Sequence, residues 1–263
     1  MSALRIEIYQ QHSIAPDDSR LALFCRRLAP GTLVVLPEYT LSAFFTDLRG
    51  LSSKQILLDQ SRQLESLESL SQRYALHFIA PIITAGKKRL YKQIAHITPE
   101  SSFYYMQQRL ISYEHWNEVE YFANPQPKRL GTPAIFRLGG CKIAMMFGFE
   151  IHFDELWCKL RAQGVDIVIM PCANTFDSAA RWRELCKMRA FLNGCAIVRA
   201  NRVGEVQVDG HTWRFYGDSL IAMPNGEILD HLGDTQERLS ITLHREQITQ
   251  MAREWGFREV FDI

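Results

Sequence analysis

Hydrophobic and polar positions run along this chain in two rhythms. Leu4 to Tyr9 alternates with a period of two, as a strand with one buried face does. Ser19 to Leu28 switches to the helical period, with Leu21, Leu23, Phe24 and Leu28 on one side and Pro30-Gly31 as the stop. Thr32 to Leu36 is apolar without interruption, the pattern of a strand covered on both faces. The rhythm then repeats. A helix is predicted over Ile56 to Tyr74, with strands over His77 to Ile83, Arg89 to Ile97 and Ser102 to Gln108. Strand 143–147, helix 152–163 and strand Asp166 to Met170 form a βαβ unit. Helix Ser178 to Asn193 follows, then strands 196–200, 219–222 and 228–232, and from Arg245 a last helix with an extension. Alternating elements with no linker, repeat or low-complexity tract predict one α/β domain over residues 1–263.

Two stretches break the rhythm. Residues 111–130 make a polar and aromatic loop closed by Pro125 and Pro127, long enough to cover a site or to form a dimer face. The second break is Phe147-Gly148-Phe149-Glu150. A buried strand feeds a helix there through a sharp turn, the place where α/β enzymes present a nucleophile. The residue at the turn is a glycine, which presents no side chain.

Composition narrows the function. With 47% hydrophobic residues and a net charge of +1, the chain has neither the basic excess of a nucleic-acid binder nor that of a protein held on an acidic membrane. No apolar run has membrane-spanning length, and no leader-like segment precedes the first strand, so a cytoplasmic protein is expected. The six cysteines form no CxxC pair and read as reduced, buried thiols. The eight histidines have no metal-ligand spacing; neither metal nor cofactor is expected. Gly139-Gly140 reads as a hairpin turn, and Arg181, Arg183, Lys187 and Arg189 as solvated or interface positions of one helix.

Several segments in order resemble the nitrilase, or carbon–nitrogen hydrolase, superfamily. Leu36-Pro37-Glu38 resembles its first motif, and Tyr105-Met106-Gln107-Gln108-Arg109-Leu110 stands where that family has its lysine motif. Phe147-Gly148-Phe149-Glu150 stands where it has the cysteine, followed by a similar Phe153-Asp154-Glu155-Leu156. Gly164 to Pro171, Ala200-Asn201-Arg202-Val203-Gly204 and Gly217-Asp218-Ser219 extend the likeness over nearly the whole chain. The resemblance implies a four-layer α-β-β-α sandwich, symmetric pairing into a homodimer or larger homo-oligomer, and hydrolysis of non-peptide C–N bonds through a cysteine thioester. It assigns the base to Glu38 and a second acid to Glu118, with Glu114 the runner-up.

The same resemblance puts Gln107 at the lysine position and Gly148 at the cysteine position. Loss of the nucleophile of a covalent catalyst costs on the order of 10⁶ in turnover. The expectation is therefore a non-catalytic relative that binds or regulates through a small polar molecule. Phe149, Glu150, Glu118, Cys172 and Asn174 are its expected binding residues, and Glu38 faces Glu118 with no cation between them unless Arg109 or Lys142 supplies one. Two alternatives stand beside it: an amidase that uses Cys172, which follows the end of the neighbouring strand, as a relocated nucleophile, and a structural subunit paired with an active paralogue. Cys141, expected before the strand, and Cys158, inside the helix, are out of reach of the turn.

Overall fold

A computed structural model of the chain describes residues 3–16, 18–86 and 89–255. The strands in chain order are β1 (Ala3–Gln10), β2 (Leu33–Val35), β3 (His77–Gly86), β4 (Arg89–Ile97), β5 (Ser102–Met106), β6 (Ser112–Tyr113), β7 (Trp116–Asn117) and β8 (Ala134–Leu138). They continue as β9 (Cys141–Met145), β10 (Ile167–Cys172), β11 (Ala196–Asn201), β12 (Val203–Val208), β13 (His211–Tyr216), β14 (Leu220–Ala222), β15 (Ile228–His231) and β16 (Glu237–His244). The α-helices are α1 (Ser19–Cys25), α2 (Phe45–Leu48), α3 (Ser53–Tyr74), α4 (Asp154–Ala162), α5 (Ala179–Asn193) and α6 (Arg245–Glu254).

Two six-stranded sheets stack, in the orders β16-β1-β2-β3-β4-β5 and β15-β14-β11-β10-β9-β8. The uninterrupted apolar run at 33–36 shows why. Leu33 and Val35 enter the core between the sheets, while Val34 and Leu36 enter a second core under α1 and α3. A strand covered on both faces has no polar side to show. On the far side Leu156, Trp157, Cys186 and Ala190 of α4 and α5 cover the second sheet, completing helix, sheet, sheet, helix. This is the α/β sandwich that the resemblance implied.

Differences from the sequence reading fall on edges and turns. The expected helix at 152–163 is a 3-10 turn, Gly148–His152, followed by α4. Strand β16, which pairs along all of β1, was not predicted, because Glu237-Arg238 and Ser240 leave few apolar positions. Nor was the β12–β13 hairpin, whose turn residues Asp209 and Gly210 both have positive φ. Gly139-Gly140 does turn β8 into β9, both residues at positive φ. Cys141 opens β9 and does not precede it. The extension expected after α6 lies at 256–263, outside the described residues.

Candidate active site

The site forms where the carboxyl ends of β2 and β10 meet the start of the long loop after β5. Glu38 follows β2, and its N–H donates to the Cys172 carbonyl at 3.2 Å. The Arg202 N–H donates to the same oxygen at 3.3 Å, so the end of β10 is clasped to the start of the Glu38 turn. Tyr39 adopts a left-handed backbone (φ 57°), and its hydroxyl donates to Glu118 Oε1 at 2.5 Å.

Between the two carboxylates stands a cation that the sequence reading missed. Lys92 Nζ lies 2.5 Å from Glu38 Oε2 and 2.6 Å from Glu118 Oε1, with all three side chains buried. The expectation of an unpaired Glu38–Glu118 couple is therefore wrong, and so are its proposed rescuers. Arg109 donates to the Gln108 carbonyl and Lys142 to the Gln163 carbonyl. Burial alone would lower the pKa of Lys92, but Glu118 and Glu38 outweigh it and raise it. Burial raises Glu38 to about 7, with Lys92 opposing the rise and Glu118 adding to it. Glu114, the other candidate for the second acid, lies exposed in the turn between β6 and β7.

Gln107 does not take the lysine's part. It is buried, its Nε2 donates to the Arg109 carbonyl at 2.7 Å, and its Oε1 has no partner among the described residues. Its backbone N–H donates to the Lys92 carbonyl, and Asn124 Nδ2 bridges the carbonyls of both residues. Lys92 and Gln107 are thus cross-strand neighbours, whose side chains share one face of the sheet. A signal for Lys92 exists in the sequence: on β4 it falls in phase with Leu90, Ile94 and His96, all buried. A lysine at a core-facing strand position needs a partner of opposite charge.

The turn after β9 packs against a sulfur atom. Gly148 has no positive φ; its reason is close approach. A Cβ at position 148 would lie 2.6 Å from Cys172 Sγ and 3.4 Å from Cys172 Cα, so the thiol occupies the space a side chain at 148 would enter. The Gly148 N–H donates to the Glu38 carboxylate. Cys172 itself is fully buried, its thiol donates to the Met170 carbonyl at 3.4 Å, and burial pushes its pKa far up against the opposing pull of Arg199.

Glu150, expected to bind a ligand, holds the turn instead. Its carboxylate accepts from the N–H groups of Phe147 and Gln108 and from the Tyr105 hydroxyl. Burial raises it to about 7 against the two N–H groups that favour its charged form.

Above this floor opens a cavity of about 350 Å³, lined by Glu38 and Lys92 at its base and by Phe149, Ala173 and Asn174 beside them. Tyr113, His115 and Trp116 of the long loop form one wall, so that loop covers the site; Ser178, Arg181 and Trp182 at the start of α5 form another. Of the expected binding residues, Phe149 and Asn174 reach the cavity. Glu118 meets it only through Lys92, and Cys172 lies beneath it. Among the described residues no cluster of three or more His, Cys, Asp or Glu side chains is arranged to hold a metal, and no helix is long and apolar enough to cross a membrane.

A family profile described as carbon–nitrogen hydrolase matches residues 26–253. The chain belongs to the carbon–nitrogen hydrolase family. Among curated proteins it is 28% identical over 123 residues to "Hydrolase in agr operon" of Staphylococcus lugdunensis, covering 46% of this chain and 51% of that protein. It is 32% identical over 116 residues to a nitrilase of Pyrococcus abyssi, covering 44% and 41%. It is 26% identical over 151 residues to N-carbamoylputrescine amidase of Solanum lycopersicum, covering 53% and 49%. In these matches the chain spans about half the length of the curated relatives or less. The carbon–nitrogen hydrolase of Helicobacter pylori superposes with a TM-score of 0.81 at 20% identity over 98% of this chain and 94% of that one. An amidase from Nesterenkonia gives 0.75 at 18% over 96% of both chains. At that identity the likeness is one of fold.

Proposed function

We propose that this carbon–nitrogen hydrolase hydrolyses a small amide through a thioester on Cys172, with Glu38 as base and Lys92 as the cation that stabilises the oxyanion. The observation behind this reading is a double replacement. Each position that lost a catalytic side-chain type, 107 and 148, has that same type supplied from the adjoining strand, as Lys92 and Cys172. Glu38 takes the thiol proton as sulfur attacks the amide carbonyl, and Lys92 offsets the charge that develops on oxygen. The C–N bond then breaks, the amine leaves with the proton held by Glu38, and water hydrolyses the thioester to the acid and the free thiol. A base with a pKa of about 7 suits such a shuttle near neutral pH. The thiol's raised pKa makes its ionisation uphill at rest, so proton transfer has to be coupled to attack.

One observation favours a second reading, a pocket that binds a small polar molecule without turnover. Cys172 is fully buried and its thiol donates to Met170, away from the cavity. In that case Cys172 restores volume beside Gly148 and nothing more.

Turnover of a panel of simple amides, ω-amides and nitriles by the wild type, Cys172→Ala and Glu38→Gln separates the two. The first reading expects an acyl adduct on Cys172 by intact mass and a loss on the order of 10⁶-fold in Cys172→Ala. Undiminished turnover in that variant would overturn it. No turnover from any form, with ligand-induced thermal stabilisation, would support the second.

A further inference from the structure

The helix α5 carries four cationic side chains in its first three turns, and they have different fates. Arg183 pairs with Asp218, Lys187 with Glu184 and Arg189 with Asp154. Arg181 makes no ion pair with any described residue; its guanidinium donates only to the Asp177 carbonyl, at 3.2 Å. Arg181 is also the one of the four that lines the cavity. We infer that the cavity takes an amide whose far end carries an anionic group, a carboxylate, held by Arg181, which rests on the amidase reading above for the amide and on Arg181 for the anion.

The cavity's charges fix the direction in which such a molecule lies. At the base Lys92 is matched by two carboxylates, so the Glu38–Lys92–Glu118 group carries a net negative charge when both acids are ionised. An anion at that end meets Glu38. Among the described residues no other carboxylate lines the cavity, and the remaining titratable groups facing it besides Tyr113 are Arg181, His115 and His152. The polarity runs from negative at the base to positive at the start of α5. That helix end has no acidic residue in its first turn, and the Ser178 hydroxyl is spent on the Thr175 carbonyl and Tyr216 instead of capping it. Its dipole adds to the field of Arg181. A volume of about 350 Å³ sits at the small end of ligand pockets, suited to a half-amide of a short dicarboxylic acid.

Binding can be measured without chemistry, by tryptophan fluorescence or calorimetry on the Cys172→Ala protein, using succinamate and glutaramate against butyramide and valeramide. The expected result is binding of each half-amide about 10- to 100-fold tighter than its neutral counterpart, the range for a charge-assisted guanidinium–carboxylate contact. Arg181→Gln and Arg181→Glu should erase or invert that ratio, and Lys187→Gln should leave it intact. Equal affinity for charged and neutral amides, or an equal loss for both in Arg181→Glu, would overturn the inference. Selective binding of half-amides that wild-type protein never hydrolyses would uphold it and defeat the amidase reading. Hydrolysis that ignores the carboxylate would do the reverse.

Discussion

The two halves of the site are held together by different forces. On the first sheet Lys92 brings its full charge to the place between Glu38 and Glu118, at 2.5 and 2.6 Å, and its side chain reaches the cavity. On the second sheet Cys172 brings sulfur to the space beside Gly148 but keeps it sealed under the floor. The charged half is constrained by electrostatics, because two buried carboxylates without a cation must either share a proton or bear their mutual repulsion. The sulfur half is constrained by packing, because a glycine in a close-packed turn leaves a void that a neighbour must fill. A charge so placed therefore speaks for stability as much as for catalysis, while a thiol so placed speaks for catalysis only if it can move.

The largest effect that can break this comparison is removal of the cation. Lys92→Met should destabilise the protein by about 3–5 kcal/mol in denaturant unfolding, the usual cost of breaking a buried pair and leaving its partners charged. A loss below about 1 kcal/mol would show that Glu38 and Glu118 accommodate each other without it. Next comes Gly148→Ala, whose Cβ meets Cys172 Sγ at 2.6 Å and should cost about 1–3 kcal/mol as overpacking. In a Cys172→Ala background most of that cost should vanish, and a double-mutant cycle reads the difference directly. An additive cycle would mean that the two residues do not share the space.

The smallest effect concerns pH. If Glu38 is the base, kcat/KM should climb about tenfold per pH unit below neutrality and level off above an apparent pKa near 7. Stability should move the other way. Glu38 and Glu150 have folded pKa values above their ordinary carboxylate values, so their contribution is fully present at acidic pH and is lost as pH rises through about 7. A rate profile flat from about pH 5 to 8 would remove Glu38 from the proton transfer.

Much of the fold was legible because burial on two faces writes itself as an apolar run, as at 33–36 and 167–170. Strand β16 was not, since an edge strand shares few of its side chains with the core. In the site, Glu38 and Glu118 were legible from motif context, and the glutamine at 107 and the glycine at 148 were visible as departures from it. The approach of Lys92 was not, because sequence order sets it far from Gln107 while the sheet makes them adjacent. Glu150 misled for the opposite reason: an acid beside the turn looked like a ligand contact, yet its acceptors are consumed by Phe147, Gln108 and Tyr105. Arg181 was grouped with its helix partners because periodicity does not say which cation lacks an acid.

The shared ladder position of Lys92 and Gln107 has a consequence for how such a site could have arisen. An ancestor carrying lysine at both positions would crowd two ammonium groups against two carboxylates, and one carrying neither would leave the carboxylates bare. Every single-step route between the two arrangements passes through one of these intermediates. In this chain Gln107→Lys alone should lower the unfolding free energy, and once Lys92 is made neutral it should raise it, a sign change in the effect of one substitution that denaturant unfolding reads.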